Sequence, residues 1–260
     1  MALTSARALA ERLLARRGLE IRRAGKGPRR TLGEVLAHVT GLGLRPGAVI
    51  DVGVGYGTPE LYAPFPTARH LLVEPLREYE PQLRPVAERI GAAVVYAAAG
   101  AEPGETTIHV HRAPTLSSIH DAGRGDAAAT VARTVSVVRV DELVRERGLP
   151  GPYVLKVDVE GAELEVVAGA EGLLGQTELV LLETSLFRHL GENPELADVV
   201  AAMGERGFAP YDIYGGHLRP SDGALAQVDV AFVREDGRFR RDHAYATPEQ
   251  AERLYASWGF

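Results

Sequence analysis

Residues 48–62, AVIDVGVGYGTPELY, form an apolar run broken by one acid, Asp51, that leads into glycines at 53, 55 and 57. The run reads as a strand covered on both faces. The alternating glycines read as a sharp turn whose backbone can approach a ligand without Cβ atoms in the way. In open α/β sheets, ligands bind beyond the carboxyl ends of the strands. A dinucleotide loop places its third glycine three residues after the second, but here Thr58 holds that position, followed by Pro59. No Gly-Lys-Ser/Thr follows, so the loop does not match a P-loop either. A nucleoside donor without phosphates, S-adenosylmethionine, suits the loop better than a phosphate-bearing one. A purely structural turn stays open at this point.

Outward from this stretch, short apolar runs recur at 70–74, 92–99, 106–111, 134–140, 153–158, 177–183, 208–214 and 227–233. Helix-period segments lie between several of them, at 31–41, 75–90, 141–147, 161–174 and 194–206. Alternation of this kind predicts βαβ units and a mostly parallel sheet with helices on both faces. Runs 208–214 and 227–233 have no helix between them, which predicts one antiparallel strand at the end of the sheet. Pro103-Gly104 predicts a tight turn and a small hairpin of 92–99 with 106–111. Thr31 with Glu34, and Thr247 with Gln250, predict capped helix starts. The expected division is a helical cap with a basic arm over 1–44, a catalytic domain over 45–235, and a tail with a short helix over 236–260.

Composition narrows the setting. The 260 residues include no cysteine, which removes disulfides, thiolate nucleophiles and Cys-based metal sites. No apolar run approaches the ~20 residues of a membrane span, and the first twenty residues lack the apolar core of a secretory signal. A cytoplasmic location with no membrane contact is the expectation. The net charge of −6 divides into +7 on residues 1–30 and −13 on the remainder. The basic arm has no interleaved aromatics and the body is acidic, so a nucleic-acid partner is not expected. Homodimerisation is left open.

Two further signals join the glycine loop. HLLVEP places Glu74 at a strand tip, where a carboxylate can accept from both ribose hydroxyls of an adenosine ligand. In YVLKVDVEGAELEVVAGA, Lys156 and Asp158 interrupt an otherwise apolar strand on one face, and Glu160-Gly161 follow at its exit. Buried charges are costly unless paired or functional, so these two form either an ion pair or part of a site.

These segments, with LVLLETS and DIYGG…QVDVAFVRED in the same order, resemble the FkbM-family S-adenosylmethionine-dependent methyltransferases over about residues 31–235. The most specific element is Asp158-Val-Glu-Gly-Ala-Glu163 followed by an apolar helix. The resemblance implies a class I methyltransferase (Rossmann-like) fold of seven strands. The activity it implies is O-methylation of a hydroxyl on a sugar, polyketide or other secondary metabolite. The glycine loop with Val54 and Tyr56, and FRHLGENP after LET, depart from the family's usual residues. An NAD(P)-dependent oxidoreductase and a non-catalytic nucleoside-binding subunit are the alternatives. The former is opposed by Thr58 and by the lack of a Tyr-x-x-x-Lys pair.

The expected donor site comprises Asp51, Gly53, Gly55, Tyr56, Gly57, Glu74, Pro75, Ala99, Ser118, Asp158 and Glu160. An aliphatic hydroxyl is a poor nucleophile and needs a base or a metal. Asp158 leads as base, with Lys156 keeping it ionised. Glu183 ends the neighbouring strand, and His189 sits in the loop beyond it. Asp158 and Glu183 are also weak candidate ligands for Mg²⁺, and a two-His face from His109 and His111 is weaker still. Ser117 and Ser118 suit polar contacts rather than nucleophilic roles. Trp258, Tyr255 and Phe260 are expected to pack the tail.

Overall fold

The computed structural model describes residues 14, 27–111, 130–188 and 193–258. Most of the expected basic arm over residues 1–30, Ser117, Ser118, His189, Phe260 and the side chains of His111 and Trp258 lie outside the described residues.

Among the described residues, one sheet has seven strands in the order β3-β2-β1-β7-β8-β10-β9. They are β1 (Ala48–Val52), β2 (Arg69–Val73), β3 (Ala93–Val95), β7 (Tyr153–Val157), β8 (Thr177–Ser185), β9 (Phe208–Leu218) and β10 (Leu225–Arg234). Every pair from β3 to β8 is parallel, and β10 runs antiparallel to both neighbours. This is the class I methyltransferase fold, with the antiparallel strand where the missing helix predicted it.

Helices cover both faces: α1 (Leu32–Gly41), α2 (Pro59–Tyr62) and α3 (Glu80–Ile90) on one, and α4 (Val140–Glu146), α5 (Glu163–Ala168), α6 (Glu171–Leu174) and α7 (Leu196–Glu205) on the other. The period of two sorts each strand between two cores. Ile50, Val52, Leu71 and Val73 pack against the α4–α7 side, while Val49 and Leu72 pack against Val35, Leu36, Leu61 and Leu83. All five β1 side chains are buried, as the sequence implied, with Asp51 the one polar member. The Thr31 hydroxyl caps α1 by accepting from Glu34 N–H. At α8 (Pro248–Trp258), Thr247 and Gln250 accept reciprocally from each other's N–H.

The expected hairpin of 92–99 with 106–111 does not form. That first run breaks after Val95, and its second half, β4 (Ala98–Ala99), joins a separate sheet with β5 (Gly104–His111) and β6 (Thr130–Val138). The order there is β4-β6-β5, with β6 antiparallel to β5 and parallel to β4. Pro103-Gly104 thus leads from β4 to β5 while β6 inserts between them. The run at 134–140 also differs, since the strand ends at Val138 and Val140 already opens α4.

The strand order reverses at β1, whose neighbours β2 and β7 lie on opposite sides. Such a switch point leaves a crevice beyond the carboxyl ends.

Candidate active site

A cavity of about 430 Å³ opens at that crevice. The loop after β1 (Val52–Thr58), the segment after β2 (Val73–Leu76, Tyr79), residues 97–99, Ile108 of β5, the exit of β7 (Lys156, Asp158–Glu160, Ala162) and Glu183 of β8 line it. Of the expected donor-site residues, Gly53, Gly55, Tyr56, Gly57, Glu74, Pro75, Ala99, Asp158 and Glu160 all line this cavity. Asp51 lies beneath the loop rather than on the wall, and Ser118 is outside the described residues. Lys156 and Glu183 line the same cavity beside Asp158.

The glycine loop is held against its neighbours. Gly53 has φ +76°, and a Cβ there would come 1.8 Å from the Asp158 carbonyl oxygen, so no side chain fits between the β1 and β7 exits. Gly55 N–H donates to Glu74 Oε2 at 2.8 Å, and Leu76 N–H donates to Oε1 at 2.8 Å. Glu74 is therefore a clamp on the loop as well as a wall of the cavity. Burial pushes its pKa up, against the lowering effect of those two N–H donors. A carboxylate has about four acceptor positions, so both oxygens retain capacity for ligand hydroxyls. Tyr56 meets the Tyr79 ring edge-on with centroids 4.8 Å apart, forming an aromatic flank.

Lys156 Nζ lies 3.0 Å from Asp158 Oδ2 and 3.7 Å from Asp51 Oδ1. The ion pair anticipated as one reading is present, and it stands in the cavity wall. Burial works to lower the Lys156 pKa, but the charges of Asp158 and Asp51 outweigh it and hold the ammonium charged. Asp51 has no exposed surface, and its Oδ2 accepts from Tyr62 OH at 2.6 Å. Tyr62 OH in turn accepts from Thr58 N–H at 3.0 Å. Sequence reasoning missed Tyr62. The available signal was Pro59, which marks the first helical position and puts Tyr62 about one turn beyond Thr58.

Further carboxylates gather around Asp158, with Glu183 lining the cavity and Asp229 and Glu163 behind it. Burial first, then the negative charges of Asp158 and Glu160, push Glu183 up to about 9, so it holds a proton at neutral pH. Gln227 Nε2 donates to its Oε2 at 3.0 Å. Asp229, paired across the strands with Glu183, is raised to about 6 by burial and by Asp158. Glu163 is raised to about 7 for the same two reasons. Glu160 has φ +55°, the one non-glycine residue with positive φ among those described, and it lines the cavity. Backbone strain of this kind collects at functional sites.

The residues fit a nucleoside-sized ligand, given the close backbone at Gly53, the Glu74 oxygens and a volume within the ordinary range for such pockets. They do not make a metal site: among the described residues no three His, Asp or Glu side chains stand together as ligands. His109 lies on β5 of the small sheet, away from the Asp158 carboxylate wall. No helix among the described residues is long and apolar enough to cross a membrane.

A family model described as a methyltransferase FkbM domain matches residues 51–210. The hexuronic acid methyltransferase AglP of Haloferax volcanii is 39% identical over 72 residues, which span 28% of this chain and 28% of that protein. Among solved structures, magnesium protoporphyrin IX methyltransferase from Synechocystis PCC 6803 aligns over 78% of this chain and 77% of that one, at 14% identity and a TM-score of 0.41. The O-methyltransferase TomG from Streptomyces achromogenes aligns over 78% and 79%, at 11% identity and a TM-score of 0.43.

Proposed function

The chain belongs to the FkbM methyltransferase family, and on that premise we propose that it moves a methyl group from S-adenosylmethionine to a hydroxyl of a sugar or other secondary metabolite. The observation that carries this reading is the cavity itself, where a glycine loop clamped by Glu74 faces the Lys156–Asp158 pair and Glu183. When bound, the donor supplies a methyl carbon already activated by sulfonium charge. The chain's own residues must then bind, align and deprotonate the acceptor.

Glu74 would take the ribose hydroxyls on its remaining lone pairs, and the 53–57 backbone would face the ribose and methionine portions. Pro75, Ala98, Ala99 and Ile108 offer an apolar wall for the base. Asp158 is the proposed general base, with Lys156 holding its carboxylate in place at 3.0 Å. Glu183 retains its proton near neutral pH and so would orient the acceptor as a hydrogen-bond donor. The short match to a hexuronic acid methyltransferase favours a sugar among the acceptors. Residues 1–44 would serve as an accessory cap, with catalysis confined to 45–235.

Titration calorimetry with S-adenosylmethionine, S-adenosylhomocysteine and NAD tests the donor, and transfer of radiolabelled methyl to a panel of sugars and uronic acids tests the acceptor. Binding of NAD alone would overturn the proposal.

A further inference from the structure

Lys156 is shared unequally between two carboxylates. It lies 3.0 Å from Asp158, which faces the cavity, and 3.7 Å from Asp51, which has no exposed surface. Coulomb attraction alone would draw the ammonium deeper, because the buried acid has the lower local dielectric. Asp51 Oδ1 has no hydrogen-bond partner, and Oδ2 has one, the Tyr62 hydroxyl at 2.6 Å. That hydroxyl is itself fixed by Thr58 N–H, in the loop that walls the cavity. The other charged or titratable groups facing these side chains are His70 on β2, Glu74 beyond β2, Glu163 on α5, Glu183 on β8, Tyr214 on β9 and Asp229 on β10. None of them donates a hydrogen bond to Asp51 in the described structure.

We propose that Tyr62 is a positioning residue for methyl transfer: its hydroxyl satisfies Asp51, so that Lys156 stays on Asp158 at the reacting face of the cavity. This rests on the methyl-transfer reading of the same site. The reasoning is one of competition. Without the Tyr62 donor, a fully buried carboxylate keeps only Lys156 for compensation, and the ammonium moves to it. Asp158 then loses the cation that holds it ready as a base.

Tyr62→Phe tests this in the full-length protein. The expected kcat falls by about tenfold, with a smaller change in KM for the donor. In the double variant Tyr62→Phe/Asp51→Asn, the neutral amide at 51 no longer competes for Lys156, and kcat recovers toward that of Asp51→Asn alone. A merely structural role predicts the reverse, since the second change would add to the damage. An undiminished kcat in the single variant, or an unrescued one in the double, overturns the proposal. If Tyr62→Phe fails to fold, Asp51→Asn alone decides: its kcat is at least that of the wild type if Asp51 only competes for Lys156, and a lower one overturns the proposal. A crystal structure of Tyr62→Phe gives a readout independent of activity, with Lys156 Nζ expected nearer Asp51 than Asp158. Should the wild-type protein transfer no methyl group, the functional reading fails while this distance still settles the role of Tyr62.

Discussion

Replacing Glu163 with glutamine is expected to stabilise the protein at pH 8 and to remove part of its pH dependence. Glu163 is 4% exposed, and its Oε1 accepts both Val159 N–H at 3.2 Å and Gly161 N–H at 3.0 Å. Because both bonds end on one oxygen, the amide carbonyl of glutamine can accept them unchanged. What the substitution removes is the cost of ionising a buried carboxyl that burial and Asp158 push up to about 7. Below about pH 4.5 the group is protonated in folded and unfolded chains alike, and its favourable contribution is fully present. As pH rises, the unfolded chain ionises first, and the contribution is lost by the time pH passes about 7. The gap corresponds to about 3 kcal/mol at 1.4 kcal/mol per pH unit. At this chain length that is a rise in Tm of roughly 6–12 °C at pH 8. Urea denaturation of both proteins at pH 4.5 and pH 8 measures the difference directly. A variant no more stable than wild type at pH 8, or one showing the same change between the two pH values, would refute the reasoning.

Glu74→Ala unclamps Gly55 and removes the proposed ribose acceptor, and donor affinity measured by calorimetry is expected to fall about 10- to 100-fold. Unchanged affinity would remove Glu74 from the donor site. Asp158→Asn is expected to lower kcat by about 10²- to 10⁴-fold with a near-wild-type melting temperature. Full turnover would end its role as base. Gly53→Ala forces a Cβ against the Asp158 carbonyl at positive φ and is expected to cost about 2–4 kcal/mol in chemical denaturation. A neutral effect there would mean that the β1 and β7 exits separate easily.

The central strands of the main sheet were legible because β1, β7 and β8 are buried on both faces, and apolar density marks such strands without reference to partners. The break within AAVVYAAA was not. Alanine is indifferent to strand and helix, and nothing in a period of two records that Val95 and Ala98 belong to different sheets. The insertion of β6 between β4 and β5 is likewise a matter of pairing between segments far apart in sequence, Ala98 with Val137 and Gly104 also with Val137. In the site, Gly53, Glu74 and Asp158 stood out because each breaks a local rule. Tyr62 breaks none, since an aromatic in a short amphipathic helix is ordinary core, and its hydroxyl gains meaning only when β1 brings Asp51 within 2.6 Å. The raised proton affinity of Glu183 was also invisible, because it arises from burial and from acids on three other elements.

The small sheet has a consequence for how the cavity breathes. It meets the main body at two places: Ile108, Val110 and Val135 pack on Leu76 and Tyr79, with Arg133 in a bidentate pair with Glu78, and Ala99 and Val138 pack on the main core. Ile108 and Ala99 are nonetheless walls of the cavity. The Leu76–Tyr79 contact is small beside the two main cores, so local opening there is expected at a lower free energy than parting the main sheet. On the proposed function, exchange of a bound nucleoside would then leave undisturbed the strands that carry Asp51, Lys156 and Glu183, and faster amide hydrogen exchange at Ile108 than at Ile50 would show it.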